Sequence, residues 1–218
     1  MIKKILNKLI NKSTTTTEVI VDKTIYSPID TSYAGGALAY SNMLVVSNKR
    51  EDHAVWLKRA ETENFDLSFC YCKDSKLTSD DIVQSSDDLI GPFNHIINII
   101  HKDPNNGLLL NNLYNDEDSL RMLYVWIQKE SDYLVDNVKQ STICSIYIGD
   151  NSVDAETIKG GVEALIKGLA LPLSKHGIVE TGIIADLSVP YEKINETALY
   201  LSSKYGQIIT GEVMKMVC

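Results

Sequence analysis

The residues that could carry chemistry are few, and they do not form a complete catalytic pattern. The chain has four histidines and four cysteines, and no two cysteines form a CxxC pair, so the sequence predicts no metal site. His95, His101 and Cys144 lie in apolar strands or loops without an activation motif around them, which argues against a nucleophilic centre. Gly35 and Gly36 follow the first predicted strand, where a backbone can approach a phosphate, and an ordinary turn explains the same pair.

The overall composition narrows the class of protein. The chain has 218 residues, an apolar content of 44% and a net charge of −8, which fit one full-sized core and argue against a nucleic-acid surface. No apolar run approaches the roughly 18–20 residues that cross a bilayer. Cys70 and Cys72 stand two apart in a strand-like run and are expected to be small core residues on one face. Cysteines that remain free thiols are typical of proteins in the reducing cytoplasm, so we expect the protein there.

The first seventeen residues differ from the rest of the chain. Residues 1–12 read MIKKILNKLINK, with apolar residues at helical spacing and four lysines without an acid. One interpretation is an amphipathic helix that lies on an anionic membrane surface or docks on an acidic partner. The alternative is a helix packed on its own domain, or a frayed terminus. Residues 13–17 form a polar linker, so we divide the chain into 1–17 and a single domain at 18–218.

Strands and helices alternate along this domain. Apolar, β-branched runs predict strands at 18–25, 43–47, 65–72, 93–100, 143–148 and 178–185, and periodic segments predict helices at 51–63 and 116–138. A further helix begins near residue 156, with its apolar residues at steps of three and four (Ile158, Val162, Leu165, Ile166, Leu169 and Leu173). Lys175, His176 and Gly177 are typical of its end, and Pro172 predicts a kink in its last turns. Alternation of this kind predicts an α/β domain with a mostly parallel sheet.

Two segments carry a resemblance to a known family. Residues 156–182 read ETIKGGVEALIKGLALPLSKHGIVETG, and residues 194–213 read INETALYLSSKYGQIITGEV. They resemble the active-site helix with its following strand, and the C-terminal region, of the ketoacyl-reductase-like short-chain dehydrogenase/reductases. The resemblance covers roughly the last third of the chain. It implies a Rossmann-like, doubly wound sheet with helices on both faces, shortened near the first strand–helix unit.

The same resemblance allows the catalytic positions to be tested. The family uses a Tyr whose pKa is lowered by a Lys four residues later, and a Ser at the end of the preceding strand. Lys159 matches the Lys, but Ala155 stands at the Tyr position. The Ser position falls near Ile148 or Gly149, and Ser152 is only a loose substitute. Lys159 is therefore the single remnant of the YxxxK pair, and the sequence predicts no catalytic residue.

Other family positions are also changed. The helix Asn falls near Tyr124, and the later Asn and Pro-Gly positions are taken by Thr181 and by Ala185 with Asp186. Tyr147 would be a shifted tyrosine, and its spacing does not support that role.

The cofactor positions are equally incomplete. The family places a TGxxxGxG loop after its first strand, and of these glycines only Gly35 and Gly36 remain. Asn98 matches the first residue of the NNAG motif, but bulky residues follow it where a nicotinamide ribose would pass. Lys49 and Arg50 match by type the basic residues that hold the 2′-phosphate of NADP, although exposed charges after a strand are common. The sequence thus predicts no bound cofactor.

We therefore interpret the chain as a catalytically inactive relative of the reductases, acting as a structural or regulatory partner subunit, in particular of an active ketoreductase. The retained helices and C-terminal strand imply a homo- or hetero-oligomer with a subunit of this family, and the cleft could hold an acyl or carrier-protein substrate. One alternative is an active NADP-dependent oxidoreductase with a rebuilt site near Lys49, Arg50 and Lys159. The other is a module that docks on a membrane or partner through residues 1–12.

Overall fold

The structure is a computed structural model that describes residues 17–22, 37–72, 91–102 and 112–217. The predicted N-terminal helix at 1–12, most of the linker and the Gly35–Gly36 pair lie outside these residues. Within them the chain forms seven strands, β1 Thr17–Asp22, β2 Asn42–Ser47, β3 Asp66–Cys72, β4 His95–His101, β5 Ser141–Gly149, β6 Ile178–Asp186 and β7 Val213–Met216. The four helices are α1 Asp52–Glu63, α2 Asn112–Asn137, α3 Val153–Ser174 and α4 Tyr191–Ser202.

The strands form one sheet in the order β1-β3-β2-β4-β5-β6-β7. Every neighbouring pair from β3 to β7 is parallel, and only β1 runs antiparallel, beside β3. The chain moves outward from β2 to β3 and then crosses back to place β4 on the other side of β2. The strand order reverses at that point, as in doubly wound sheets. The predicted Rossmann-like fold with a mostly parallel sheet is confirmed.

The position of the first strand corrects the sequence analysis. We took the strand at 18–25 as the family's first strand, which leads into a phosphate loop, but β1 is an antiparallel edge strand. The central place belongs to β2, which is followed by a complete helix and by β3. A short apolar run indicates a strand but does not indicate its place in the sheet. The unit that follows the central strand is therefore the β2–α1 unit.

Helices cover both faces of the sheet. One core lies under α2 and α3 and includes Trp126, Tyr147, Ile166 and Ile184. The other lies under α1 and α4 and includes Trp56, Phe65, Phe69 and Ile194. Cys70 and Cys72 are buried together in the first of these cores as free thiols, as their spacing predicts. None of the helices in the described ranges is long and apolar enough to span a bilayer.

Helix α3 ends where its sequence predicts and begins at Val153, three residues before the expected start. The Ser152 hydroxyl accepts a hydrogen bond from the Ala155 amide at 3.3 Å, which satisfies one of the free amides of the first turn. The helix continues through Pro172 to Ser174. Gly177 then adopts φ +78°, the left-handed conformation that lets the chain turn into β6.

Replacing Gly177 with alanine should lower the free energy of unfolding by about 1–2 kcal/mol, because an L-residue is disfavoured at this φ. A Cβ there would also lie 2.5 Å from the carbonyl oxygen of Lys139. Gly168→Ala is the matched control, because a Cβ at Gly168 meets no atom within 4 Å in α3. That change should stabilise the monomer by about 0.5–1 kcal/mol. Urea denaturation of both variants measures the difference, and equal effects would contradict the prediction.

Candidate functional site

The carboxyl ends of β2 and β4 meet where the strand order reverses. In doubly wound sheets this is the place where a dinucleotide binds, with its pyrophosphate at the amino end of the helix that follows the central strand. Here that helix is α1, and residues 47–52 connect it to β2 with the sequence SNKRED. The connection contains no glycine. Every residue in it has a side chain where a phosphate would need close access to the backbone.

Asp52, in the first turn of α1, is the centre of this region. Its side chain is almost fully buried, and its Oδ2 accepts hydrogen bonds from Ser47 Oγ at 2.6 Å and from His101 Nε2 at 2.8 Å. The Lys49 amide donates to Ser47 Oγ at 3.0 Å, which holds the hydroxyl in place. A buried carboxylate therefore lies at the amino end of α1, where the helix dipole favours negative charge.

Asn48 joins the ends of the same two strands. Its Nδ2 donates to the His101 carbonyl at 2.8 Å, and its Oδ1 accepts from the His101 amide at 2.8 Å. The Asn48 amide donates to the Ile99 carbonyl at 3.3 Å. These hydrogen bonds within the protein tie the carboxyl ends of β2 and β4 together.

Tyr191 covers the cluster from the start of α4. Its ring lies 5.7 Å from the His101 ring, measured between centroids. Burial raises the pKa of Tyr191 far above its ordinary value, and the nearby Asp52 charge adds to the rise. The phenol therefore stays protonated at neutral pH and does not serve as a base.

A second group of charges lies at the ends of β4 and β5. Lys102 Nζ donates to Asp150 Oδ1 at 2.9 Å and to Ser152 Oγ at 2.5 Å. The Ser152 hydroxyl donates to Asp150 at 2.6 Å. The hydrogen bonds from Ser152 and Lys102 lower the pKa of Asp150 to about 2. Ser152, considered above as a loose substitute for a catalytic serine, is instead the cap of α3 and a partner of this ion pair.

Lys159 lies nearby on α3 and is bound by acids. Its Nζ donates to Asp186 at 2.8 Å, to Glu156 at 2.8 Å and to Asn151 at 3.1 Å. Burial alone would lower the pKa of Lys159, but the hydrogen bonds with Asp186 and Glu156 outweigh it, and the pKa is raised. Ala155, four residues earlier, is fully buried. The lysine therefore has a firmly held charge and no tyrosine at the family position to act on.

Other residues considered from the sequence lie away from this region. Tyr147 is buried in the core under α2 and α3 with its ring against Gly149. Asn98 is also buried on that side, where its Nδ2 donates to Glu130 at 2.7 Å. Burial lowers the pKa of His95 to about 4, and its Nδ1 lies 2.9 Å from Thr142 Oγ1 at the amino end of β4. Burial raises the pKa of Cys144 to about 12, so its thiol is inert at neutral pH.

The remaining family positions are occupied as follows. Thr181, Ala185 and Asp186 are buried in β6, and Tyr124 lies on the outer face of α2. Lys49 and Arg50 are exposed in the turn between β2 and α1. We took the strand at 43–47 as the family's second strand, whose end holds the 2′-phosphate of NADP, but it occupies the central place in the sheet, so this turn is where a phosphate loop would lie. The mistaken position of the first strand caused this shift.

The sequence analysis missed the cluster of Ser47, Asp52 and His101. An acid at the start of a helix is a common signal that serves the helix dipole. His101 ends the next parallel strand, 49 residues later. The two could have been paired only by aligning the ends of β2 and β4, which requires the strand order.

Solved structures with the same fold are short-chain dehydrogenase/reductases. A double variant of such an enzyme from Serratia marcescens has a TM-score of 0.66 and 17% identity, over 82% of this chain and 96% of that one. A short-chain dehydrogenase from Mycobacterium smegmatis has a TM-score of 0.65 and 14% identity, over 84% and 94%. A third, from Burkholderia xenovorans, has a TM-score of 0.66 and 12% identity, over 83% and 96%.

These identities establish the fold alone. No protein-family model and no curated protein matches the chain. The chain has the fold of the short-chain dehydrogenase/reductases, as its last third suggested. The residues at its switch point do not fit a dinucleotide pyrophosphate, because the turn has no glycine and the helix end already holds a carboxylate.

Proposed function

We propose that this protein is a non-catalytic member of the short-chain dehydrogenase/reductase fold that acts as a partner subunit in an oligomer. The observation that carries the proposal is the buried Asp52 carboxylate, held by Ser47 and His101 at the amino end of α1. A pyrophosphate placed there would meet a negative charge of the protein. Two negative charges placed next to each other repel by several kcal/mol when they are shielded from water.

The state of Lys159 supports the same conclusion. A lysine that assists a catalytic tyrosine must face its hydroxyl, but this one is bound by two carboxylates and follows a buried alanine. Removing the acids would free its charge, yet no hydroxyl would stand at the family position. The group that remains is a structural ion pair between α3 and β6.

The outer face of α3 supports a role in assembly. A stripe of small and apolar residues runs along it beside the Lys167–Glu163 ion pair, through Val153, Gly160, Ala164, Gly168 and Leu171, all of which are exposed. A Cβ added at Gly160 or Gly168 would meet no atom within 4 Å. Small residues of this kind let another helix approach closely.

The stripe is complementary to itself when two copies of α3 run antiparallel. A two-fold axis at Ala164 would place Gly160 of one copy opposite Gly168 of the other. The acidic first turn, with Asp154, would then lie beside Lys175 at the far end of the second helix. Opposite charges and opposite helix dipoles favour this arrangement, so a second copy of the chain is the partner that we propose.

Titration of the purified protein with NADPH and NADH tests the non-catalytic assignment. We expect no heat of binding and no change in tryptophan fluorescence at millimolar concentrations of either cofactor, because the site for the pyrophosphate is closed. Isothermal titration calorimetry gives the measurement, and an active reductase of the same fold is the positive control. Micromolar binding would overturn the proposal and would favour the NADP-dependent alternative.

A further inference from the structure

Two acidic side chains are buried on the sheet face under α2 and α3. Glu130 projects from α2 and is 2% exposed, and Glu180 of β6 is 0% exposed. Asn98 and Ser145 stand opposite each other in neighbouring strands β4 and β5. These four side chains form a polar layer, which we call the acid layer, inside a core that is otherwise apolar. The acid layer takes no part in the switch point at the ends of β2 and β4 or in the outer stripe of α3.

Each acid has a neutral hydrogen-bond partner. Asn98 Nδ2 donates to Glu130 Oε2 at 2.7 Å, and Ser145 Oγ donates to Glu180 Oε1 at 3.0 Å. Among the described residues, neither carboxyl forms an ion pair with a lysine, arginine or histidine. Glu180 Oε2 and Asn98 Oδ1 are buried without a hydrogen-bond partner there. The acid layer therefore has no positive group that would offset the charge of an ionised Glu130 or Glu180.

The other titratable side chains of this core are the thiols of Cys70 and Cys72 and the phenols of Tyr133 in α2 and Tyr147 in β5. Cys70 and Cys72 face the acid layer from β3, and Cys144 lies in β5 on the opposite side of the sheet. Burial raises the pKa of Cys70, and the charges of Cys72 and Glu130 would raise it further. The Cys70 and Cys144 thiols therefore stay neutral over the range in which carboxyls titrate. The acids are therefore the groups of this layer that can change charge near neutral pH.

Burial also governs the acids themselves. It raises the pKa of Glu130 to about 8, although the hydrogen bond from Asn98 opposes the rise. Burial raises the pKa of Glu180 well above its ordinary range, and the Glu130 charge adds to that effect against the bond from Ser145. The Glu130 side chain is thus protonated in the packed protein at neutral pH.

We infer that Glu130 acts as a proton-dependent latch that fastens α2 to the sheet and loosens as the pH rises. The latch works because Glu130 is on the helix and its partner Asn98 is on β4. When α2 is packed, Glu130 keeps its proton. When α2 lifts away, the carboxyl reaches water and releases the proton at its ordinary pKa. Nothing in this device depends on whether the protein binds a dinucleotide.

The sign of the pH dependence follows from this proton release. The folded-state pKa of Glu130 is above the ordinary value of 4.5, so the packed form binds more protons than the open form between pH 4.5 and about 8. The stabilisation is complete below the lower value and is lost as the pH rises through the upper one. The equilibrium constant for opening should therefore increase about tenfold for each pH unit within this window and become constant above it.

Native-state hydrogen exchange on the full chain measures this opening. Protection factors for amides of α2 between Ser119 and Asn137, corrected at each pH with an unstructured reference peptide, should fall about tenfold per pH unit from pH 5 to 8. Glu130→Gln keeps the shape and the hydrogen bond from Asn98 but cannot ionise, so its protection factors should not change with pH. Asp136→Asn is the matched control on the same helix, where the side chain is exposed, and it should retain the wild-type slope.

The proposal is overturned if Glu130→Gln keeps the wild-type slope, or if the wild-type protein has none. Infrared spectroscopy of the wild-type protein provides a second test that does not depend on a variant that folds. It should show a protonated-carboxyl band at pH 7 that loses intensity reversibly above pH 8 as Glu130 ionises. A spectrum without that band at pH 7 would mean that the buried acids are already ionised, and the latch would be rejected.

Discussion

Replacing Asp52 with alanine should lower the free energy of unfolding by about 2–6 kcal/mol. The change removes the acceptor for the buried Ser47 hydroxyl and for His101 Nε2 at once. A buried donor left without a partner costs about 1–3 kcal/mol, and two such donors set the range. Chemical denaturation at pH 7 measures the loss.

The same variant should become sensitive to inorganic phosphate. With the carboxylate gone, the amino end of α1 and its two free donors form an anion site. Phosphate at ten times its dissociation constant would then restore about 1.4 kcal/mol. The wild-type protein should not respond, because its own carboxylate holds these donors. Thermal shift measurements with phosphate and with matched sodium chloride distinguish binding from ionic strength.

Glu51→Ala is the control for this experiment. Glu51 is the neighbouring acid, and it is exposed and makes no capping hydrogen bond. Its removal should change stability by less than about 0.5 kcal/mol and should create no phosphate response. If Asp52→Ala behaved like Glu51→Ala, the carboxylate would have no special role at the switch point. If phosphate stabilised the wild-type protein equally, the site would be open and the proposed function would lose its main support.

The parts of the fold that the sequence predicted correctly are those fixed by neighbouring residues. The apolar spacing from Ile158 to Leu173 specifies one helical face, and Gly177 marks the turn that follows it. The continuous apolar strands also indicate a sheet covered on both sides. These signals act within about twenty residues. They are therefore visible without knowledge of the tertiary structure.

Predicting the candidate site would have required knowledge of contacts between residues that are far apart in the sequence. Glu156 is three residues from Lys159, and the pairing follows from helix geometry. Asp186 is 27 residues away and pairs with the same lysine only because β6 lies beside β5. In the same way, β1 was taken as the family's first strand because its residues suit either an edge or a centre of a sheet. That error moved the expected positions of the phosphate loop and of the group that binds the 2′-phosphate.

Self-association through α3 should be abolished by Ala164→Arg. We expect the wild-type protein to be a dimer at micromolar concentration. In the proposed pairing Ala164 lies on the two-fold axis, so the variant would place two arginines against each other. Like charges in such a contact cost several kcal/mol, which corresponds to an increase of at least about a hundredfold in the dissociation constant. Sedimentation velocity over a concentration series measures the change.

Two further variants separate this contact from a general effect of charge. Tyr200→Arg adds the same charge on α4, across the sheet, where Tyr200 is 39% exposed, and the dimer should persist. Lys175→Glu should weaken association, because it faces Asp154 of the second copy, and adding Asp154→Lys should restore it. Since only an antiparallel pairing brings these two positions together, restoration in the double variant would identify the geometry. A wild-type protein that stays monomeric at high micromolar concentration would exclude a second copy as the partner.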